Sequence, residues 1–103
     1  MPSDAEIARF LCERVLGWEG PRMYSYAPTP DFLSWAGFGL LLTALAEARR
    51  LRSLTYEELT LGQWTASAFA ILPTYGKYPR EHTDPDPRRA LMLAAAKAYG
   101  VEV

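Results

Sequence analysis

The residues with the clearest potential for chemistry are cations that gather around the start of the last predicted helix. Asp86-Pro87 opens that helix, and the free backbone N–H groups at a helix start favour anions. Tyr75 and Tyr78 add aromatic surfaces on which a base could stack. The pattern predicts a site for a small anionic ligand such as a nucleotide, with the ligand-binding residues Lys77, Tyr78, Arg80, His82, Arg88 and Arg89.

A second interpretation of the same segment needs no ligand. Glu81, Asp84 and Asp86 alternate with the cations, so these side chains could neutralise one another as solvated loop residues. The residue pattern leaves both interpretations open.

Metal binding and catalysis are not predicted. His82, Asp84 and Asp86 alternate as potential ligands, but zinc sites usually need more His or Cys, and hard cations need more oxygen atoms. Nucleophilic catalysis needs a nucleophile, a base and an orienting group, which one cysteine and one histidine do not indicate. We therefore predict a protein without metal, cofactor or enzymatic activity, and a small hydrolase that uses His82 is the weaker alternative.

Five aromatic residues within eighteen positions form a second candidate surface. Tyr and Trp are enriched where proteins contact one another, although such a cluster most often belongs to a core. The predicted protein-interface residues are Trp18, Tyr24, Tyr26, Phe32 and Trp35.

Composition restricts the class of partner. The chain has 103 residues, the size of one domain spanning 1–103. Its 11 basic and 12 acidic side chains nearly cancel, which argues against duplex nucleic acid because such modules carry a basic excess. The lone Cys12 lies among apolar residues and is expected to be a small buried hydrophobe.

The beginning of the sequence bears on location. Its acidic residues lack the layout of a signal peptide, and no apolar run reaches the ~20 residues that span a bilayer. We expect a cytoplasmic protein with no membrane partner.

Capping signals predict the helices that must position these residues. Ser3 and Glu6 form a capping box for a first helix that ends at Gly17. Thr29-Pro30-Asp31 predicts the start of a second helix, which runs to about Arg50.

The second predicted helix is apolar around most of its circumference. Such a helix is central to a fold or lies at a subunit interface, and we predict a homodimer. Gly37 and Gly39 lower its helix propensity, which favours close backbone packing at these positions. Its narrow remaining stripe consists of Ala36, Gly39, Thr43, Glu47 and Arg50.

The second half of the chain predicts a sheet and a third helix. Trp64–Leu72 alternates as a strand, whereas Leu54–Thr60 fits either an extended segment or a capped helix. Pro73–Pro87 holds four prolines and is interpreted as a long loop, functional or mobile. The third helix begins at Asp86-Pro87 and ends at Gly100. These elements predict an α/β (α+β) domain with three helices and a short antiparallel sheet.

The order of features resembles a known family. The segments that carry the resemblance are Glu13–Trp18, Pro30–Leu42, the strand that begins at Trp64, and Pro87–Ala98. Together they resemble the phage ABA-sandwich domain family of small phage and prophage proteins. The resemblance implies an α/β/α sandwich and a phage or prophage origin, and it implies no reaction.

These observations lead to two hypotheses about function. The first is a non-enzymatic binding protein of phage type, which occupies a host protein or sequesters a small anionic ligand, with interference with host defence as its setting. The alternative is a structural or assembly module that functions as a homodimer.

Overall fold

The computed structural model describes residues 3–15, 31–57, 62–69 and 79–101 of the chain. The small α+β fold, with three helices and a three-stranded antiparallel sheet, is confirmed. In chain order the elements are α1 (Asp4–Arg14), α2 (Trp35–Glu47), β1 (Leu51–Glu57), β2 (Gln63–Ala68), β3 (Arg80–Asp84) and α3 (Pro87–Ala98).

The predicted starts of α1 and α3 are confirmed by their caps. Ser3 Oγ accepts the backbone N–H of Glu6 at 3.2 Å, and Asp86 Oδ1 accepts that of Arg88 at 2.9 Å. Each cap satisfies a backbone donor that has no partner within the helix. Both starts depend on residues at most three positions apart, so the sequence was sufficient to locate them.

The start of α2 differs from the prediction. Helix geometry begins at Trp35, because Ser34 Oγ accepts the backbone N–H of Gly37 at 3.0 Å and is the N-cap. Asp31, predicted to lie inside the helix, instead accepts the N–H of Leu33 at 2.9 Å in a turn. Thr29 and Pro30, the predicted cap and first helical residue, lie outside the described residues.

The end of α2 is a tight turn that leads directly into β1. Arg49 has a φ of 58°, and the N–H groups of Arg49 and Arg50 donate to Ala46 O at 3.0 Å and Leu45 O at 2.8 Å. These two bonds form a Schellman motif, in which glycine is the usual residue at the position of Arg49. The positive charges of Arg49 and Arg50 therefore lie at the C-terminus of α2, where they complement the helix dipole.

The sheet has the order β1, β2, β3. The segment that fitted either a strand or a helix is extended as far as Glu57, with Leu54 opposite Ala66, and its last three residues lie outside the described residues. β2 covers the first part of the predicted strand Trp64–Leu72, and the part beyond Phe69 lies outside the described residues.

β3 corrects the prediction of one long loop from Pro73 to Pro87. Arg80–Asp84 is an edge strand, and the hydroxyls of Thr65 and Thr83 lie 2.9 Å apart across its pairing with β2. The strand contains no apolar residue, so it lacks the alternating hydrophobicity by which strands are recognised. Pairing with β2 decides its conformation.

The central helix is α3, whereas the sequence favoured the second helix for this position. All residues from Ala90 to Ala96 are buried, because α3 lies between the sheet and α1 and also contacts α2. Its alanines allow neighbours to approach on both sides. α2 buries Leu41 and Leu45 but leaves Trp35 and Leu40 exposed.

The described helices pack on one face of the sheet, the face that carries Leu54 and Ala66. The other face carries short polar side chains, among them Thr55 and Thr83, both exposed. The described part of the chain shows no helix on that second face. None of its helices has the length and apolar character needed to cross a membrane.

Candidate functional site

The three helices begin at the same end of the molecule. Arg89, in the first turn of α3, bonds to Asp4 at the start of α1 at 2.8 Å. Arg88, its neighbour, lies over the ring of Trp35 at the start of α2, with 4.3 Å between the guanidinium carbon and the ring centroid. Three of the residues predicted as functional, Arg88, Arg89 and Trp35, are thus brought to one region.

Arg88 is held by its own helix cap. Its Nε and Nη2 donate to Asp86 Oδ1 at 2.9 Å and Oδ2 at 2.7 Å, a bidentate pair. The same Oδ1 accepts the backbone N–H of Arg88. The side-chain hydrogen bond from Arg88 lowers the pKa of Asp86 and raises the pKa of Arg88. Asp86 is therefore ionised and occupies the helix start that the sequence offered to an anion.

Arg89 is also paired with carboxylates. Besides the bond to Asp4, its Nε lies 3.6 Å from Asp84 Oδ2. Asp84 Oδ1 in turn accepts the backbone N–H of Asp86 at 2.9 Å. The interpretation in which acids neutralise the cations therefore describes Arg88 and Arg89, and these pairs join α1 to the β3–α3 connection.

The other predicted ligand-binding residues make no hydrogen bond or ion pair with this group in the described part of the chain, or they lie outside the described residues. Arg80 and His82 belong to β3, and Arg80 is exposed with no ion pair among the described residues. Lys77 and Tyr78, with the stacking candidate Tyr75, lie outside the described residues. The structure thus brings two of the six predicted residues together.

His82 is partly buried and its Nδ1 has no hydrogen-bond partner among the described residues. Burial lowers its pKa, and the positive charge of Lys97 acts in the same direction. The single cysteine, Cys12, lies in α1, where burial raises the pKa of its thiol. α3 separates the elements that carry these two groups, so they do not form a nucleophile and base pair. In the described part of the chain, no three His, Cys, Asp or Glu side chains are grouped as metal ligands.

The predicted aromatic interface divides into buried and exposed members. Phe32 is 1% exposed and packs in the hydrophobic core, which corrects its assignment to an interface. Trp35 is 62% exposed, and its ring contacts Phe38 edge-to-face at 5.7 Å between centroids. Trp18, Tyr24 and Tyr26 lie outside the described residues.

Two arrangements here were not found in the sequence. One is the stacking of Arg88 on Trp35, which joins residues fifty-three positions apart and has no local signal. We call Trp35, Phe38, Arg88 and Asp86 together the Trp35 surface. The other is a pocket beside α1, hereafter the α1 pocket, with a volume of about 440 Å³; it is lined by Asp4, Ala5, Ala8, Arg9, Asp31, Leu33 and Met92.

Comparison of the chain with protein-family models, with curated proteins and with solved structures gives no match. The resemblance to the phage ABA-sandwich domain family therefore stays a prediction.

Proposed function

We propose that this protein is a non-enzymatic binding protein of phage or prophage type, which occupies a host protein in the host cytoplasm through the Trp35 surface. Interference with host defence is the setting that the family resemblance favours. The single observation that supports the proposal is the exposed indole of Trp35, held between Arg88 and Phe38.

The side chains of the Trp35 surface suit a protein partner. Trp and Arg are the residue types most enriched among those that dominate binding energy at interfaces. An exposed indole with no structural partner would lose side-chain entropy on binding. Trp35 is already contacted by two side chains, and Arg88 is fixed in turn by Asp86. These side chains are therefore already ordered in the free protein, and binding a partner costs little additional side-chain entropy.

A small anionic ligand at the start of α3 is the less favoured form of the binding hypothesis. An anion there would have to compete with Asp86 for Arg88 and with Asp4 and Asp84 for Arg89. These carboxylates are part of the same chain, so they act at high effective concentration. Arg80 is the one described arginine of the predicted set without such competition.

The proposal is tested by capture with a matched control. Tagged full-length chain and its Trp35→Ala variant are incubated with bacterial lysate, captured proteins are identified by mass spectrometry, and the candidate is purified for calorimetry. We expect Trp35→Ala to raise Kd roughly thirtyfold, since a central Trp contributes about 2 kcal/mol or more. Tyr56→Ala removes a half-exposed aromatic from the sheet and should leave Kd unchanged.

Loss of binding through unfolding is checked separately. Trp35 is mostly exposed, so Trp35→Ala should melt within a few degrees of the parent. Asp86→Asn keeps an oxygen for the helix cap but weakens the clamp on Arg88, and we expect it to weaken binding by a smaller factor. A partner that binds Trp35→Ala and the parent equally well would rule out the Trp35 surface.

The second candidate function is a homodimeric assembly module, and one observation favours it. Leu40 is 45% exposed on α2 beside a groove of about 500 Å³ that is lined by Val15, Leu40, Thr43, Ala44, Glu47 and Ala48. Leu40 and Trp35 are five residues apart, which places them roughly 140° apart around the helix. The two candidate surfaces can therefore be tested independently.

A further inference from the structure

The α1 pocket has the size and lining of a small-molecule site. Its volume of about 440 Å³ lies within the usual range for such sites, roughly 300–1,000 Å³. Ala5, Ala8, Leu33 and Met92 supply an apolar lining, and Met92 is 1% exposed at its base in α3. Polar groups enter from Asp4, Asp31 and Arg9. An apolar lining with a few convergent polar groups is the usual composition of a ligand site.

The charges around the α1 pocket leave one carboxylate without a cationic partner. Asp4 is paired with Arg89, and Arg9, which also lines the pocket, lies 3.6 Å from Glu13. Asp31 forms no ion pair with any described side chain and accepts one backbone N–H, that of Leu33, through Oδ1. Its charge still acts on Arg88, whose pKa it raises in addition to the larger effect of Asp86. Among the described lining residues, the two acids Asp4 and Asp31 outnumber the one cation Arg9, so this part of the lining carries a net negative charge.

Both acids retain acceptor capacity. Asp4 uses Oδ2 for Arg89 and Asp31 uses Oδ1 for Leu33, so each has a second oxygen with no described donor. A protonated amine has three donors and no acceptor, which matches a site that offers two carboxylate oxygens. Charge-assisted hydrogen bonds of this kind are stronger than neutral ones.

We propose that the α1 pocket binds a small organic cation, with its ammonium group between Asp31 and Asp4 and its apolar part against Ala8, Leu33 and Met92. This site is separate from the Trp35 surface, because neither Trp35 nor Arg88 lines the pocket. It also differs in charge from the anion site predicted at the start of α3.

Three probes of nearly equal shape test the charge preference. Isotope-labelled full-length protein is titrated with 2-phenylethylamine, 2-phenylethanol and 3-phenylpropionate, which differ in charge at the end of the same arm. We expect the amine to bind with a Kd of about 1 mM or tighter, with the alcohol at least roughly tenfold weaker and the carboxylate weaker still. The largest shifts of NMR resonances should fall on Ala5, Ala8, Leu33 and Met92.

Two substitutions test whether Asp31 provides the negative charge that binds the amine. Asp31→Asn keeps the acceptor for Leu33 and should weaken amine binding about tenfold, the expected effect of one charge-assisted bond. Glu81→Gln removes an exposed acid of β3 and should change nothing. Trp35→Ala should also leave amine binding intact, so this result does not depend on the proposed protein partner.

The proposal is overturned if the amine shows no saturable binding at about 10 mM, ten times the expected Kd, or if the alcohol or the carboxylate binds as tightly as the amine. It is also overturned if the NMR shifts fall outside the α1 pocket, or if the Asp31→Asn variant binds the amine like the parent. Each of these results leaves the Trp35 surface untouched as a hypothesis.

Discussion

His82 lies in the middle of β3, opposite Ala66, on the face of the sheet that α3 covers. Its surroundings disfavour the charged imidazolium, first through burial and then through the positive charges of Lys97 and Arg89. Asp84 acts in the opposite direction and does not outweigh them. The pKa of His82 is therefore below its ordinary value, and this has a consequence for stability because it is the single histidine of the chain.

We predict that acidification destabilises the protein through His82. The unfolded chain, with an ordinary pKa of 6.5, binds the proton more readily than the folded protein. The free energy of unfolding should therefore be constant above this value and decrease as pH falls below it, toward the lower pKa of the folded state. Denaturant titrations between about pH 7.5 and 5.5, above the carboxylate range, would measure this slope.

The matched variant is His82→Gln, which is polar but does not titrate. Its stability should be nearly independent of pH over the same window. A variant with the same slope as the parent would show that another group is responsible.

At the scale of the element, α2 begins where a glycine lets two backbone segments meet. A Cβ built on Gly37 would overlap the carbonyl oxygen of Asp31 and lie 2.6 Å from its carbon, and both atoms are backbone. The sequence predicted close packing at Gly37 and Gly39. It is confirmed for Gly37, whereas a Cβ on Gly39 would meet nothing within 4 Å.

This difference predicts opposite effects for two identical substitutions in one helix. Gly37→Ala should destabilise the protein by about 1–3 kcal/mol, since the turn at Asp31 must shift. Gly39→Ala should stabilise it by up to about 1 kcal/mol through helix propensity alone. Chemical denaturation of the two variants beside the parent measures both. Equal changes in the two would mean that the contact with Asp31 does not constrain the helix.

The end of α2 predicts a stabilising substitution. Arg49 adopts a left-handed conformation that costs an L-residue about 1–2 kcal/mol, whereas the corresponding turn after α3 uses Gly100, with a φ of 93°. We expect Arg49→Gly to raise the free energy of unfolding by about 1 kcal/mol, the lower end of that cost. Gly100→Ala, the reverse change at the matching position, should lower it by a similar amount. A thermal melt that moves both variants in the same direction would contradict this reasoning.

At the scale of the whole molecule, the exposed face of α2 predicts that two copies of the chain associate. Leu40 is exposed beside the groove at Thr43 and Ala44, and an apolar helix face of this kind is a common subunit contact. We predict a homodimer in sedimentation equilibrium at high micromolar concentration. Leu40→Lys should shift it to monomer, because burying an unpaired charge is costly.

The control for association is Tyr56→Lys, which places the same charge at a half-exposed position on the sheet. It should leave the dimer intact. A parent protein that sediments as a monomer would exclude the assembly hypothesis but not binding through the Trp35 surface.

The features that could be predicted from sequence depend on residues close together in the chain. Ser3 and Asp86 cap helices whose first turns follow them directly, and Gly100 ends α3 as expected. Cys12 is buried as predicted, because its apolar neighbours recur at helical spacing. Local capping and periodicity were sufficient for these elements.

Tertiary structure decided what depends on distant partners. β3 is a strand only through its pairing with β2, and α3 is the central helix only because the sheet, α1 and α2 all contact it. The sequence identifies Arg88 and Arg89 as cations. Their carboxylate partners and the stacking of Arg88 on Trp35 depend on the fold, which brings the first turns of α1, α2 and α3 together. Such contacts join residues as far apart as Asp4 and Arg89, and no local pattern encodes a distance across the folded chain.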